Sequence, residues 1–166
     1  PVPFTGTSLA GVTYINRSDR VPVYRLSTGS TFADLPNWDS THRCAALRSF
    51  GDQLIALNLT EGSNVFPTRI RFSDITLANS VPGSWADNSA TVSSGFIDLV
   101  QITDEIKDGL SLGSNFIIYS SDQTWMLEFI GGQFLFSARK LFEDAGVINQ
   151  NCVVEAEGKH YVMGPF

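Results

Sequence analysis

The feature that most constrains the fold is a glycine-led segment that recurs along the chain. Its three copies are 50–57 (FGDQLIAL), 112–119 (LGSNFIIY) and 157–163 (EGKHYVM). Their glycines, Gly51, Gly113 and Gly158, follow one another after 62 and then 45 residues, and a weaker copy begins at Gly11. In each copy a turn glycine precedes a strand-like run with apolar residues at consecutive positions. Such a strand must be covered on both faces, so it belongs in the interior of the fold.

The rest of the chain has strand-and-turn patterning, with short apolar runs bounded by Gly, Asn, Asp and Ser. We predict hairpin turns at 121–123, at Gly131-Gly132, where two glycines suit a two-residue turn, and at 157–158. One short helix is predicted at 103–110, with Thr103 as its cap. The predicted strands are 44–50, 53–59, 69–72, 115–119, 124–130, 133–139, 153–156 and 160–163.

These features predict an all-β fold in which antiparallel meanders form blades of a β-propeller. Repeats of about 40–50 residues with four strands are the unit of that architecture, where blades stack on their neighbours. A β-sandwich, which would give similar strands but no reason for the repeat, is the alternative. The interval of 62 residues is attributed to an inserted surface loop at 76–95. Because two or three blades cannot close a ring, residues 1–166 are interpreted as part of one propeller-like domain, and as a fragment of a longer chain.

Composition excludes several functional classes. The net charge is −6 and no run of basic residues occurs, so the footprint for nucleic-acid or anionic-membrane binding is absent. Only 17% of residues are charged, whereas twelve are Phe, which suggests that much of the surface meets other protein. Cys44 and Cys152 lie in apolar strand-like contexts and are predicted to be buried free thiols.

The sequence contains few of the residue patterns that are typical of catalytic sites. Neither His42 nor His160 has Cys or carboxylate neighbours at metal-ligand spacing, and each is interpreted as a polar strand-edge residue. No Gly-x-Ser-x-Gly elbow and no phosphate-binding loop occurs. Glu128 lies in an apolar strand and is the carboxylate most expected to be partly buried, paired with Arg139 or another base. No catalytic, cofactor-binding or metal-binding residue is therefore predicted. The carboxylates considered for glycosidase chemistry are Asp98, Asp104, Glu105, Asp108, Glu128, Glu143 and Asp144.

An ordered set of segments resembles virion proteins of tailed phages. The central one is a basic-apolar-basic strand with a Ser-Asp turn, RIRFSD at 69–74, followed by PGSW at 82–85. The order and spacing of the segments carry the resemblance, which covers roughly residue 23 to the end of the chain. The other segments are DLPNW (34–38), RSF (48–50), ID (97–98), LGSNFIIY (112–119), WMLEFIGG (125–132), FLFS (134–137) and Gly146.

The resemblance implies a structural role in the virion of a short-tailed phage, with the β-propeller tail nozzle as the best-known member. Such proteins form a ring, commonly a hexamer, that contacts adaptor and fibre proteins and encloses the channel through which DNA leaves. DNA would pass without specific binding, and no membrane would be contacted. The protein would fold in the host cytoplasm and end in the virion tail, without a cofactor.

Particular residues are expected to support this architecture. Trp85 and Trp125 are predicted to anchor blades, and the loop at 76–95 is the predicted partner-contact segment, because long insertions on rigid scaffolds often carry contacts. Gly51, Gly113, Gly131, Gly132 and Gly158 are the predicted turn residues. Two other functions stay open: a glycan-binding, receptor-recognition propeller, and a propeller glycosidase, which requires two carboxylates about 5–10 Å apart in a pocket.

Overall fold

The described part of the chain forms antiparallel β-sheets. The computed structural model describes residues 2–87, 91–131 and 135–165, in which no α-helix occurs. The predicted all-β, antiparallel fold class is therefore confirmed. The strands are β1 (Phe4–Leu9), β2 (Val12–Arg17), β3 (Val23–Arg25), β4 (Ala33–Asp34), β5 (His42–Phe50), β6 (Gln53–Glu61), β7 (Asn64–Phe72), β8 (Gly95–Asp98), β9 (Asp108–Leu112), β10 (Asn115–Tyr119), β11 (Gln123–Phe129), β12 (Phe136–Glu143), β13 (Val153–Ala156) and β14 (Lys159–Val162).

The strands pair in chain order as meanders. Within the described ranges, β1–β4 form sheet I, β5–β8 form sheet II and β9–β12 form sheet III, each with four antiparallel strands. Sheet IV is the hairpin of β13 and β14. Because every pairing joins sequence neighbours, each sheet is a local unit.

The recurrent glycines mark the first hairpin turn of each sheet. Gly11, Gly51, Gly113 and Gly158 have φ angles of 84°, 55°, 60° and 71°, and each lies between the first and second strands of its sheet. In sheets I and IV the residue before the glycine also has positive φ, as in a type I′ turn, whereas in sheets II and III only the glycine does. The glycine is thus the second turn residue in sheets I and IV and the first in sheets II and III. Aligned by strand pairing, Tyr161 corresponds to Ile55 and Ile117.

Substitution of the turn glycine Gly113 is expected to destabilise the fold, although there is space for a larger side chain. A Cβ at Gly113 would meet no atom within 4 Å, so the effect of Gly113→Ala comes from the φ of +60° alone. We expect a loss of about 1–2 kcal/mol in the free energy of unfolding, measured by denaturant titration. Gly83→Ala is the matched control, because Gly83 has equal space and no positive φ. An equal loss in both variants would contradict the conformational explanation.

The sheets stack on one another in chain order. Along β6, Leu54 and Ala56 pack with side chains of sheet I, whereas Ile55 and Leu57 pack with side chains of sheet III, and all four are fully buried. Strand β10 repeats this arrangement, since Phe116 and Ile118 pack on sheet II while Ile117 and Tyr119 pack toward sheet IV. The second strand of each inner sheet is therefore covered on both faces, as its apolar sequence predicts.

The first strands of the sheets lie next to each other. Strand β5 contacts β1 on one side and β9 on the other, and β9 in turn contacts β13. Hydrogen bonds also cross between these strands: Thr5 Oγ1 accepts from Leu47 N at 3.1 Å, and Ser111 Oγ donates to Ser49 O at 3.0 Å. We call this edge of the stack, formed by β1, β5, β9 and β13, the axial edge.

The predicted helix at 103–110 is wrong. The amide of Ile106 donates to Pro67 O and that of Lys107 to Tyr119 O, so these groups bond to other segments instead of to a preceding turn. Ile102 and Ile106 are buried between sheets II and III, and β9 already begins at Asp108. The Thr103 hydroxyl, expected to cap the helix, instead donates to Asp122 at 2.8 Å. Long-range packing of the two isoleucines thus overrides the local capping pattern.

The predicted two-residue turn at Gly131-Gly132 is also wrong. Strand β11 ends at Phe129 and β12 begins at Phe136, which leaves a connection of residues 130–135. The amides of Ile130 and Gly131 both donate to Leu135 O, at 2.9 and 3.3 Å. Gly131 has a φ of 71°, as expected for a turn residue, whereas Gly132 lies outside the described residues.

Candidate functional site

A buried ion pair joins the sheets at the axial edge. The Arg48 guanidinium on β5 donates from Nε and Nη2 to the two carboxylate oxygens of Asp108 on β9, at 2.8 and 2.5 Å. The Asp108 side chain is fully buried and that of Arg48 is 10% exposed. Asp108 also accepts from the amides of Gly109 and Asn151, each at 2.8 Å. Both charges are therefore paired and hydrogen-bonded, as burial requires.

The same pair reaches the first and fourth sheets. Arg48 Nη1 donates to Gly6 O of β1 at 3.2 Å, and Nη2 also donates to Asn151 Oδ1 at 3.0 Å. The side chain of Asn151, just before β13, donates from Nδ2 to Phe4 O at 2.7 Å. A single polar cluster, Arg48, Asp108 and Asn151, thus holds together the segments at which all the described sheets begin.

A second polar contact joins sheets III and IV. His160 Nε2 lies 2.9 Å from Ser111 O and Nδ1 lies 2.8 Å from the Tyr119 hydroxyl. Because a carbonyl only accepts, Nε2 carries a proton, and in the neutral imidazole Nδ1 then accepts from the tyrosine. Burial raises the pKa of Tyr119 to about 12, which keeps its hydroxyl a donor. His160 therefore lies in the interface between sheets III and IV. His42, the other histidine, is the first residue of β5, and its Nε2 lies 3.9 Å from Asp39 Oδ2.

The basic-apolar-basic motif of β7 organises sheet II. Arg69 and Arg71 are buried, and both pair with Glu61 at the far end of β6, at 2.8 and 2.7 Å. Arg69 also forms a two-point bond with Asp98 at 2.8 Å, and its guanidinium lies between the rings of Phe66 and Phe96. These contacts fix the hairpin and the outer strand β8, so the motif has a structural role within this sheet.

The connection after this motif is folded onto sheet I. It spans residues 73–94 between β7 and β8, against the predicted 76–95, and residues 88–90 lie outside the described ranges. Asn79 N donates to Ala10 O at 2.7 Å, and Arg71 holds the carbonyl of Trp85 at 3.0 Å. The rings of Trp85 and Trp38 meet edge to face, with centroids 4.7 Å apart. The described part of the connection therefore bridges sheets I and II.

An open cleft of about 600 Å³ lies beside these tryptophans. Its charged groups are three carboxylates, Asp39, Glu61 and Asp87, and one guanidinium, that of Arg71, which pairs with both Glu61 and Asp87. Trp38 and Trp85 are each only 6% exposed, so neither offers a ring face for stacking a sugar. Trp85 Nε1 is buried and has no hydrogen-bond partner among the described residues. The lining residues are Asn37, Trp38, Asp39, His42, Glu61, Arg71, Gly83, Ser84, Trp85, Ala86 and Asp87.

The carboxylates singled out from the sequence are distributed over several contacts, and none lines this cleft. Asp98 and Asp108 pair with arginines as described, and Glu105 pairs with Lys107. The predicted pairing of Glu128 with Arg139 is confirmed at 3.7 Å, although both side chains are substantially exposed. Hydrogen bonds from Ser121, chiefly its side chain, and from the Glu105 amide lower the pKa of Asp104. In the described ranges, no group of three or more His, Cys, Asp and Glu is placed to hold a metal ion.

The two cysteines are free thiols in unlike surroundings. Cys44 is 1% exposed and its Sγ donates to Asn16 Oδ1 at 3.4 Å, whereas Cys152 is only half-buried. The prediction of burial thus holds fully for Cys44 alone. Burial raises the pKa of the Cys44 thiol far above its usual value, so almost no thiolate forms there near neutral pH.

This difference predicts the reactivity of the thiols. In the native protein at pH 8, we expect an aromatic disulfide reagent to modify Cys152 and leave Cys44 unmodified until the chain is unfolded. Absorbance of the released aromatic thiolate measures how many thiols react, and peptide mapping identifies whether Cys152 or Cys44 is modified. Cys152→Ser is the control, and rapid modification of Cys44 in that native variant would contradict the buried position.

Two sheet faces at the ends of the stack are uncovered. On sheet IV, Val154 and Tyr161 lie opposite each other and are 58% and 54% exposed, and Met163 is 65% exposed. On sheet I, the face turned away from sheet II carries Phe4, which is 55% exposed, and Ile15, which is half-buried. The sheet I face also carries Arg17, Arg25 and Asp34, whereas exposed apolar residues such as those of sheet IV are typical of protein contact surfaces. They form the candidate interaction surface of the molecule.

The functional residues that the sequence does not reveal are those of the axial cluster. Asp108 is recognisable only as one carboxylate among several, Arg48 only as part of the RSF segment at 48–50, and Asn151 not at all. One signal is present: in the predicted strand 44–50 (CAALRSF), Arg48 is a charged residue whose neighbours, apart from Ser49, are apolar. Comparison of the chain with protein-family models gives no match, and comparison with curated proteins gives none. Within the described residues, no helix is long and apolar enough to cross a membrane.

Proposed function

We propose that the chain is a structural component of a phage virion, a β-propeller tail protein of the nozzle type that assembles in a ring around the DNA exit channel. One observation carries this proposal. The sheets are successive antiparallel meanders, stacked in chain order, with their first strands side by side at one edge. Blades of a propeller have this order, with the first strand of each blade nearest the central axis.

The internal contacts suit a structural component. Charge pairs that are fully engaged, such as Arg48 with Asp108 and Arg69 with Asp98, join strands and sheets and leave their charges little freedom to act on a ligand. In the cleft beside Trp85, the guanidinium of Arg71 is likewise paired, with Glu61 and Asp87. We therefore infer a role in assembly and not in catalysis, without a cofactor.

The charge of the chain fits a DNA conduit. With a net charge of −6, the protein repels phosphates on average, so DNA would pass through a channel without being retained. The expected partners are other copies of the chain in a ring, commonly a hexamer, together with adaptor and fibre proteins of the tail. The location would be the virion tail, after folding in the host cytoplasm.

Electron microscopy of the purified protein tests this function. We expect ring-shaped particles with a central channel, built from several copies. A filter-binding assay with duplex DNA should show no retention at physiological salt. Particles without a channel, strong DNA retention, or selective binding on a glycan array would each overturn the proposal, the last in favour of a receptor-binding propeller.

A further inference from the structure

We propose that the cleft beside Trp85 receives an arginine side chain presented by an extended segment of a neighbouring tail protein. The inference deepens the proposed function and rests on it for the kind of partner, because a tail component must dock onto its neighbours. The polar groups of the cleft that stay free among the described residues carry it.

The wall of the cleft presents free acceptor atoms. Asn37 donates through Nδ2 to a backbone carbonyl, which leaves its Oδ1 without a donor among the described residues. Asp39 uses Oδ1 to close a turn and Asp87 uses Oδ1 for Arg71, so Oδ2 of each has no hydrogen bond from that part of the chain. His42 Nε2 lies 3.9 Å from Asp39 Oδ2, beyond hydrogen-bond distance. The cleft therefore suits a ligand with several donors.

The wall of the cleft also carries more negative than positive charge. Its charged groups are the carboxylates of Asp39, Glu61 and Asp87 and the guanidinium of Arg71. Arg69 also pairs with Glu61 from outside the cleft, but Asp98 balances it. Arg43 lies nearby and directs Nη1 to two backbone carbonyls. Because the three carboxylates face one guanidinium, the cleft attracts a cation.

The Trp85 indole gives an independent indication of a ligand. Trp85 lines the cleft and is 6% exposed, yet its buried Nε1–H donates to no described atom. The other two indoles are satisfied, since Trp38 donates to His42 O at 3.0 Å and Trp125 donates to Gln123 Oε1 at 3.1 Å. A buried donor without a partner is unfavourable, so an acceptor supplied by a bound molecule would stabilise Trp85.

An arginine within a polypeptide matches both sets of groups. Its guanidinium has five N–H donors for the free oxygens of Asn37, Asp39 and Asp87, and its peptide carbonyl is an acceptor for the Trp85 indole. The cleft volume of about 600 Å³ lies within the range of sites that bind a ligand of this size. A free polyamine has donors but no carbonyl, so it would leave the indole unsatisfied.

Nuclear magnetic resonance of the indole N–H groups tests the cleft directly. The probe is a blocked tripeptide with arginine between two glycines, and its control carries citrulline, a neutral group of the same shape, in place of arginine. The chain has three tryptophans, so three indole signals are followed. We expect the arginine peptide to shift the Trp85 signal and leave that of Trp125 in place. The citrulline peptide should bind at least about tenfold more weakly, because it lacks the charge.

Variants of the free carboxylates make the test specific. Asp39→Asn and Asp87→Asn each remove a charge and keep an acceptor oxygen, and each should weaken binding of the arginine peptide by about tenfold. Asp52→Asn is the matched control, because Asp52 is exposed in the turn between β5 and β6, at the other end of these strands from the cleft. It should bind as wild type does. An unchanged Trp125 signal in each variant shows that the fold is kept.

Several results would overturn the proposal. They are equal binding of the two peptides, an unmoved Trp85 signal, wild-type affinity in Asp39→Asn and Asp87→Asn, and spermidine shifting the Trp85 signal as the peptide does. A Trp85 signal that moves with protein concentration in the absence of peptide would assign the cleft to a second copy of the chain and refute a separate partner.

The two proposals fail in different ways. Rings seen by electron microscopy with no binding of the arginine peptide would leave the tail function standing and refute the docking cleft. Specific peptide binding by a protein that forms no ring would support the cleft and refute the ring.

Discussion

Asp108→Ala is expected to lower the free energy of unfolding by about 3–5 kcal/mol, the range for a buried ion pair that loses one partner. The Arg48 guanidinium would remain buried at the axial edge without a counterion. The amides of Gly109 and Asn151, which donate to the same carboxylate at 2.8 Å, would lose their acceptor. Since the lost contacts include sheets III and IV, the loss should affect the whole stack.

Chemical denaturation followed by tryptophan fluorescence measures this effect. Glu143→Ala is the matched control, because Glu143 also pairs with a basic residue, Lys140 at 2.6 Å, but its side chain is 67% exposed. Removing that exposed pair should cost less than about 1 kcal/mol. Arg48→Met combined with Asp108→Leu should recover much of the stability, because it leaves no unpaired charge. Equal losses in Asp108→Ala and Glu143→Ala would show that the buried pair is not formed.

Phe116→Ala is expected to cost about 3–5 kcal/mol, the range for deleting a fully buried phenylalanine. Phe116 is 0% exposed in the core between sheets II and III, where its ring lies 5.6 Å from that of Phe50. A Cβ added at Gly109, on the neighbouring strand β9, would lie 2.5 Å from the Phe116 ring. The two strands therefore approach each other closely at this point. Little collapse into the resulting cavity is expected, because both sheets are held by hydrogen bonds on either side of it.

Thermal or denaturant unfolding of Phe116→Ala should be compared with that of Phe142→Ala. Phe142 lies on β12 of the same sheet but is 59% exposed, so Phe142→Ala should lower the free energy of unfolding by less than about 1 kcal/mol. The contrast depends on sheet III being packed against sheet II. A mild effect at Phe116 would mean that the sheets are not stacked as described.

Local signals predict those parts of the fold whose residues are apolar on both faces. The glycine-led segments locate β6, β10 and β14, because such strands are recognisable without knowing their neighbours. Strands β1, β3, β4, β8 and β9 are missed, since they are short or carry polar residues such as Thr5, Thr7 and Asp108 that form hydrogen bonds across sheets. Their existence follows from pairing with distant strands, which a local pattern does not contain.

Among the candidate surfaces and contacts, too, local sequence predicts some features and not others. The apolar residues of β14 are visible in the sequence as the third repeat copy, but their exposure is not, because it depends on which sheet follows. The pairing of Glu128 with Arg139 is predictable from neighbouring strands. The pairing of Arg48 with Asp108 is not, since it joins strands of different sheets over 60 residues.

The axial cluster has a consequence for the order in which a nascent chain folds. Each meander can form soon after its own residues are synthesised, because its strands are sequence neighbours. Arg48, however, acquires its counterion only when residue 108 has been made, and Phe4 receives its bond from Asn151, 147 residues later. Until then the early sheets carry an unpaired guanidinium where they converge, so we expect sheets I and II to be less tightly joined until residues 108 and 151 have been made.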